Sequence, residues 1–249
     1  MMLWALLAAA GAAPTAAPFV CDFQTSWRDC GFHAQSRTPE RITSTQVAGQ
    51  PGVRLETRPG DEDIAGSGGA ERTDLTLTPE ATGCEQGAEQ WWEHTLLFPD
   101  DYVLPVADNA HPWPWAVLFD FHHSRIGGGQ ANFEIEVAGR PPVLQLAVSG
   151  GPAVSNGGPG SATQRFPIGP VVKNHWYRFI YHVMWSAQGD GFFDAWVDGR
   201  QVLAYKGPTL YAGQTCYQKL ANYHTPVGAP VAVVHGKVER AATRAGLDP

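Results

Sequence analysis

The feature that most restricts the fold is a set of three alternating apolar runs within Trp176–Tyr205. Large apolar side chains occupy every second position of Tyr177–Trp185, which is typical of a β-strand with one face in a core. The second and third runs flank the pair Asp198-Gly199. Because a tight turn requires positive φ at both central residues, Asp-Gly at this position predicts a β-hairpin.

The rest of the chain repeats this pattern in short segments between turn residues, and Gly (28) and Pro (20) are abundant. Residues 149–163, rich in Gly, Ser and Pro, are predicted to form a loop. No long amphipathic helix is predicted, and only the tail from His235 onward is a candidate for a short one. We therefore expect an all-β fold: a β-jelly-roll sandwich of two antiparallel sheets (concanavalin A-like), in one domain over residues 18–249. Further strand candidates are Val53–Thr57, Asp74–Leu77, Trp91–Phe98, Ala116–His123, Phe133–Val137 and Val143–Val148.

Residues 1–17 have the composition of a secretory signal peptide, an apolar run followed by small residues, although no Lys or Arg precedes the run. The expected localisation is secreted or extracytoplasmic. Four cysteines agree with an oxidising compartment and allow three pairings, of which we favour Cys21–Cys30 and Cys84–Cys216. A structural zinc site is the weaker alternative, because no two cysteines have the two-residue gap typical of zinc sites.

The formal net charge is −7 and no basic stripe is present, which argues against general nucleic-acid binding. Beyond the N-terminal run, no segment is long and apolar enough to predict a membrane span. An acidic protein can still carry a local cationic cleft, so a polyanionic ligand is compatible with this charge. We expect a monomer without a cofactor and leave calcium open.

The segment 117–123 alternates between apolar and polar side chains. Alternation predicts that Asp120 and His122 lie together on the open face of a strand, on the same side as Leu118. His123 falls on the apolar face and is interpreted as structural. The other side chains predicted to face the core are Val117, Phe119 and Phe121.

Two further segments carry residues of the same kind. In Tyr217–Tyr223, Lys219 and Tyr223 share a strand face, with a small alanine between them that leaves room for a ligand. In the third segment Arg72 and Asp74 share a face, where Asp74 can orient the guanidinium. The alternative interpretations are a solvated lysine, an amphipathic tyrosine covering the sheet, and a plain cross-strand ion pair.

These residue types match the three roles in β-elimination of a uronic acid. Arg72 suits neutralisation of the sugar carboxylate, because its planar fork matches a carboxylate. His122 suits the base that removes the C5 proton, and Tyr223 suits the acid that protonates the leaving oxygen. Nearby Trp113 and Trp115 are candidates either for stacking on sugar rings or for packing.

The three segments resemble those of the jelly-roll polysaccharide lyases, in particular the heparin lyase I-like group and the related alginate lyase-like and glucuronan lyase groups. There, Arg-Ser/Thr-Glu-Leu, Gln-x-His and Lys-x-x-x-Tyr segments line the cleft in this order. The likeness extends to Trp91–Pro99 and Trp176–Gly199 and spans residues 70 to 225. The matching segments here read Arg72-Thr73-Asp74-Leu75, Asp120-Phe121-His122 and Lys219-Leu220-Ala221-Asn222-Tyr223.

The resemblance implies a secreted polysaccharide lyase that cleaves an acidic polysaccharide by β-elimination, with Arg72, His122 and Tyr223 as catalytic residues. One departure matters, because the family's neutralising Gln is Asp120 here, and an ionised Asp repels a substrate carboxylate. Asp120 is then protonated, orients His122 or binds a cation. The predicted substrate-binding residues are Asp74, Asp120, Arg178 and Lys219. Arg178 is included because it shares a strand face with His182.

Two other functions fit parts of the sequence. A non-catalytic carbohydrate-binding protein can use the same scaffold, since fold does not determine function. A laminarinase-like glycoside hydrolase needs two neighbouring carboxylates, and Glu134 and Glu136 share a strand face. The expected third acid of that pattern is missing, because Gly139 stands in its place.

Overall fold

The computed structural model describes residues 17–107, 111–124, 128–156 and 162–247. Within these ranges the chain forms fifteen strands, one short α-helix, α1 (Pro79–Thr82), and 3-10 turns at Pro39–Arg41 and Arg244–Gly246. The strands are β1 (Phe19–Cys21), β2 (His33–Ser36), β3 (Ile42–Val47), β4 (Gln50–Thr57), β5 (Glu71–Thr76), β6 (Glu89–Leu97), β7 (Trp115–His123), β8 (Phe133–Ala138), β9 (Val143–Val148), β10 (Gln164–Gly169), β11 (Trp176–Met184), β12 (Phe192–Val197), β13 (Arg200–Lys206), β14 (Cys216–His224) and β15 (Val231–Ala241).

The strands form two antiparallel sheets. Sheet A has the order β13-β12-β11-β6-β15-β4-β3, with β1 also paired to β15, and sheet B has the order β10-β9-β8-β7-β14-β5-β2. Strands far apart in sequence lie side by side, as where β14 inserts between β5 and β7. Such crossovers are typical of a jelly roll, and the predicted all-β sandwich is confirmed.

Aromatic side chains from the facing surfaces of the two sheets form the core. Phe133 of β8 stacks on Phe193 of β12 with ring centroids 4.2 Å apart. Phe119 of β7 meets Tyr181 of β11 at 5.6 Å. The alternating side chains of Tyr177–Trp185 are all buried, as their period-two pattern predicts.

The predicted hairpin is present between β12 and β13. Asp198 and Gly199 have φ values of 50° and 80°, and Val197 pairs with Arg200 across the turn. Positive φ at both central residues is the conformation that a two-residue hairpin turn requires.

Strand β7 contains a bulge that corrects the predicted faces. Pairing with β8 runs from Val117 opposite Glu136 to Phe119 opposite Ile135, so β7 has one extra residue. An extra residue exchanges the faces on its two sides. Val117 therefore shares the outer face with Glu136, whereas Leu118 lies in the core instead of beside His122.

The chain terminus also differs from the prediction. From His235 to Ala241 the tail continues β15, which lies between β4 and β6 in sheet A, and the helical part of the described tail is limited to the 3-10 turn Arg244–Gly246. A strand that is buried on both faces lacks a period-two pattern, so this segment shows no clear strand signal in the sequence. The predicted loop 149–163 lies partly outside the described residues.

Both favoured disulfides are present, Cys21–Cys30 and Cys84–Cys216. The second bond joins the segment after α1 to the start of β14 and so supports the strand that carries Lys219 and Tyr223. The predicted signal peptide lies outside the described residues except for Ala17. In the described ranges, no helix has the length and apolar character needed to cross a bilayer.

Candidate active site

The three predicted segments lie on three neighbouring strands of sheet B: β5, β14 and β7. Tyr223 is directly opposite Arg72, and Lys219 is directly opposite Asp120. His122 lies two residues beyond Asp120 on the same face. Because directly opposed residues project to the same side of a sheet, these side chains share the outer face. We call the following residues the sheet B cluster: Arg72, Asp74, Asp120, His122, Lys219 and Tyr223.

Arg72 is held by contacts on several sides and is only 7% exposed. Its guanidinium carbon lies 3.6 Å from the ring centroid of Tyr223. Its Nη1 donates to Oε1 of Gln35 at 3.1 Å, and its Nε lies 3.4 Å from Oδ2 of Asp74. A desolvated cation–π contact contributes up to about 2 kcal/mol, so the tyrosine ring and the guanidinium fix each other's position.

Asp74 is shared between the two cations of the cluster. Its Oδ2 also lies 3.5 Å from Nζ of Lys219. Burial acts to lower the pKa of Lys219, but the carboxylates of Asp120 and Asp74 outweigh it and raise that pKa. Lys219 therefore stays charged although it is only 3% exposed, and buried charges of this kind depend on their partners.

Asp120 is the unusual acid of the cluster. It is 4% exposed, and in the described part of the chain no donor reaches its Oδ1. Burial raises its pKa to about 7, the Asp74 carboxylate acts in the same direction, and Lys219 opposes the shift. Asp120 therefore exchanges its proton near neutral pH, and in its protonated form it can donate a hydrogen bond and does not repel a carboxylate.

His122 is oriented by the backbone. Its Nδ1 lies 2.9 Å from the carbonyl oxygen of His123. Because a carbonyl only accepts, Nδ1 carries the hydrogen and Nε2 carries the lone pair. Burial lowers the pKa of His122 to about 3, with the Lys219 charge adding to the shift, so the ring is neutral at neutral pH.

Tyr223 lies between two neighbours at the end of the cluster. Arg72 covers one side of its ring, and the Trp115 ring meets it edge-on with centroids 4.7 Å apart. Its hydroxyl donates to the backbone oxygen of Ser67 at 2.8 Å. In this structure the hydroxyl hydrogen is therefore directed at the Ser67 carbonyl.

A groove with a volume of about 830 Å³ begins at Tyr223 and extends over β7, β8 and β9. Trp113 stands at its rim, 76% exposed, with the Arg140 guanidinium carbon 4.7 Å from the ring centroid. Trp115, in contrast, packs on Tyr223. Both tryptophans line the groove, and Trp113 is the more exposed of the two.

Glu134 and Glu136 lie on the groove floor but are engaged by neighbours. Oε1 of Glu136 accepts from Arg165 Nε at 2.7 Å and from Gln145 Nε2 at 2.8 Å. Glu134 is hydrogen-bonded to Gln130. Burial, with the charge of Glu136, raises the pKa of Glu134. Both carboxyl groups therefore already have polar partners within the protein.

Acidic side chains such as those of sheet B can bind a metal ion when several of them are grouped together. Over the described ranges, no three His, Cys, Asp or Glu side chains are grouped so that they could hold a metal ion. Calcium binding, which the sequence leaves open, stays open.

A family model described as polysaccharide lyase matches residues 23–235, a range that contains the whole sheet B cluster. The chain belongs to the polysaccharide lyase family. A search of curated protein sequences gave no match.

Solved structures of two kinds of polysaccharide lyase share the fold. The endo-β-1,4-glucuronan lyase of the fungus Trichoderma reesei is 16% identical, with a TM-score of 0.66 over 93% of this chain and 98% of that one. Alginate lyase Aly36B, solved with an alginate trisaccharide, is 12% identical, with a TM-score of 0.56 over 93% and 100%. Alginate lyase AlyC3 is 9% identical, with a TM-score of 0.52 over 76% and 74%. Together with the family match, this fold supports a jelly-roll polysaccharide lyase.

The lyase's Arg178 is not part of the sheet B cluster, which corrects the prediction that it binds substrate there. It lies on β11 of sheet A, and its Nη2 donates to Oε2 of Glu93 at 2.5 Å. His182 shares that face and bonds Glu89. The prediction that Arg178 and His182 share a strand face is confirmed, but the sequence did not show that this strand belongs to sheet A. His123 is buried beside Tyr211, in keeping with a structural role.

Sequence reasoning missed two residues of the lyase's site. Gln35 supports Arg72 from β2, and Arg140 covers Trp113 from the turn after β8. Gln35 is 37 positions from Arg72, and its strand has no clear alternation, so no local pattern marks it. Arg140 follows Gly139 in a turn and carries no motif.

Proposed function

We propose that this polysaccharide lyase is secreted and cleaves a uronate-containing polysaccharide by β-elimination at the sheet B cluster. The observation that carries the proposal is the placement of Arg72, His122 and Tyr223 on one face of three adjacent strands, where Tyr223 also lines the groove. The names of the structural neighbours, a glucuronan lyase and alginate lyases, support a uronate polymer as substrate. The two disulfides support export.

Each catalytic residue has a defined part in this reaction. Arg72 pairs with the uronate carboxylate and so makes the C5 proton more acidic. Nε2 of His122 takes that proton, the electron pair forms the C4–C5 double bond, and the C4–O bond breaks. The Tyr223 hydroxyl gives its proton to the departing oxygen. Proton return from the imidazolium to the phenolate, through solvent, restores the enzyme.

The remaining cluster residues bind and position the substrate in this proposal. Lys219 supplies a second cation for the anionic chain. Protonated Asp120 donates a hydrogen bond to the substrate carboxylate, which resolves the repulsion expected of an ionised Asp. Asp74 holds Arg72 and Lys219 in place. A substrate of the heparin lyase I-like group is the finer proposal within the same chemistry.

The test is ultraviolet absorbance of the conjugated C4–C5 double bond during incubation with glucuronan, alginate, heparosan and hyaluronan. We expect a rise on one of these polymers and loss of that rise in His122→Ala. His182→Ala is the matched control, since His182 is a half-buried histidine of sheet A, and it should retain the rise. A flat trace with tight glycan binding would replace the lyase by a carbohydrate-binding protein.

A further inference from the structure

The groove follows one row of directly opposed residues across sheet B. From β14 outward the row contains Tyr223, Val117, Glu136 and Gln145. All four line the groove. In the other direction the next residue of the row is Arg72 of β5, opposite Tyr223. A polymer that continued past Tyr223 along this row would therefore pass over Arg72.

The loop between β4 and β5, residues 58–70, covers that path. The Ser67 carbonyl accepts the hydrogen bond of the Tyr223 hydroxyl, and a Cβ added at Gly68 would lie 3.5 Å from that hydroxyl. A Cβ at Gly66 would lie 4.0 Å from Nη1 of Arg72. The loop thus stands over the Arg72 end of the row, which explains why Arg72 is buried although it faces outward.

Side chains from the β2 region hold this loop in place. Arg41 pairs with the buried Asp61 through two contacts, of 2.6 and 3.1 Å. Arg37 Nη1 donates to the Asp63 carbonyl at 2.7 Å and to its carboxylate at 3.0 Å. Gln35 Nε2 donates to the Ala65 carbonyl at 2.8 Å. A loop held at three places behaves as a wall rather than as a mobile lid.

The negative charge of loop 58–70 also opposes the passage of an anionic polymer. Glu62 and Asp63 are exposed, and the Asp63 carboxylate is 87% accessible despite its pairing with Arg37. A polyuronate that crossed the loop would bring its own carboxylates close to these two. Like charges at an interface oppose binding, so the loop is unfavourable for an anionic chain both sterically and electrostatically.

From these observations we infer that loop 58–70 closes one end of the groove just beyond the Arg72–Tyr223 pair and makes cleavage exolytic, so that the terminal uronate units are bound at this pair and the polymer leaves past Trp113. The inference rests on the proposed β-elimination. It concerns where along the polymer the cut occurs, whereas the proposed function concerns the chemistry of the cut.

The experiment follows viscosity and product size together with ultraviolet absorbance, on whichever uronate polymer gives a rise. We expect one small product of constant size from the earliest time point, and viscosity that falls only slowly as absorbance rises. Early viscosity loss with a ladder of intermediate sizes would overturn the closed end while leaving the lyase intact. A flat absorbance trace on every polymer would overturn the lyase, and the closed end with it.

A loop variant sharpens the result. Replacement of residues 62–68 by two glycines should open the groove and produce intermediate sizes and early viscosity loss. Arg37→Ala, which removes one exposed anchor and leaves the groove lining intact, is the milder variant if the shortened loop does not fold, and it should shift products in the same direction. Unchanged product sizes in a folded shortened-loop variant would contradict the role of the loop.

Discussion

The outer faces of the two sheets carry similar residues but differ in how their polar groups are satisfied. On sheet A, Arg178 bonds Glu93 and His182 bonds Glu89 while stacking on Trp91. On sheet B, among the described residues, Oδ1 of Asp120 and Oδ1 of Asp74 are buried without a hydrogen-bond partner.

This difference is more informative than residue content. Each face has an arginine, a histidine and aromatic rings, so composition alone does not separate them. Buried polar atoms that lack partners cost free energy, and on an outer sheet face a bound ligand is one source of the missing contacts. Together with the groove, the unsatisfied carboxylates support the site that we propose on sheet B.

The largest expected effect is a difference in kcat between variants of two tyrosines, Tyr217 and Tyr223, that lie on the same face of β14. Tyr223→Phe should lower kcat by about 10²–10⁴, because it removes the proposed general acid. Tyr217→Phe, the matched control, should change kcat little, since its hydroxyl has no proposed part in proton transfer. Steady-state kinetics measures both, and comparable losses in the two variants would remove the assigned role of Tyr223.

A second prediction compares one buried carboxylate on each sheet. Asp74→Ala leaves Arg72 and Lys219 buried without their shared partner and should lower the free energy of unfolding by about 3–5 kcal/mol. Glu93→Ala leaves Arg178, which is 41% exposed, and should cost less. Urea unfolding gives both values, and a larger loss for Glu93→Ala would reverse the comparison.

The third prediction concerns pH. With a pKa of about 7, Asp120 loses its proton as pH rises through neutrality, so kcat/KM should fall above about pH 7. Asp120→Asn keeps a neutral donor and should lack this decline. If the decline persisted unchanged in Asp120→Asn, another group would be responsible for it.

The raised pKa of Asp120 should also make the free energy of unfolding depend on pH. Its ordinary pKa is 3.8, so between about pH 4 and 7 the folded state retains a proton that the unfolded chain loses. The free energy of unfolding should therefore decrease with rising pH in this window, and Asp120→Asn should reduce that slope. Urea titrations at several pH values provide the check, and an equal slope in the variant would contradict the raised pKa.

The smallest effect is expected at the groove rim. Trp113→Ala removes an exposed ring proposed to stack on a sugar and should raise KM several-fold with little change in kcat. Trp196→Ala, on the outer face of sheet A, is the control and should leave KM unchanged. An unchanged KM in Trp113→Ala would show that sugar binding does not extend along the groove from Tyr223 to Trp113.

Strand alternation allowed the central parts of the fold to be predicted from the sequence. Strands β7, β11 and β14 have strong alternation, and their faces placed Asp120 with His122 and Lys219 with Tyr223. The short strands β1, β2, β3 and β10 were missed because they carry few buried side chains to create a pattern. The bulge in β7 was missed because one extra residue leaves no local signal.

Alternation correctly grouped the proposed site residues only when their strands belong to sheet B. Arg178 shows the limit, because alternation gives a face but not the sheet to which it belongs. Gln35 and loop 58–70 meet Arg72 and Tyr223 only through tertiary contacts, which no spacing in the sequence encodes.

The most direct test of the account compares two products of the same incubation: new C4–C5 double bonds, measured by proton NMR, and new reducing ends. β-Elimination predicts that the two increase in equal numbers, and that both increases are lost in Tyr223→Phe. New reducing ends without double bonds would contradict the account, because hydrolysis would then be the reaction and the Glu134–Glu136 pair would replace the sheet B cluster as its site.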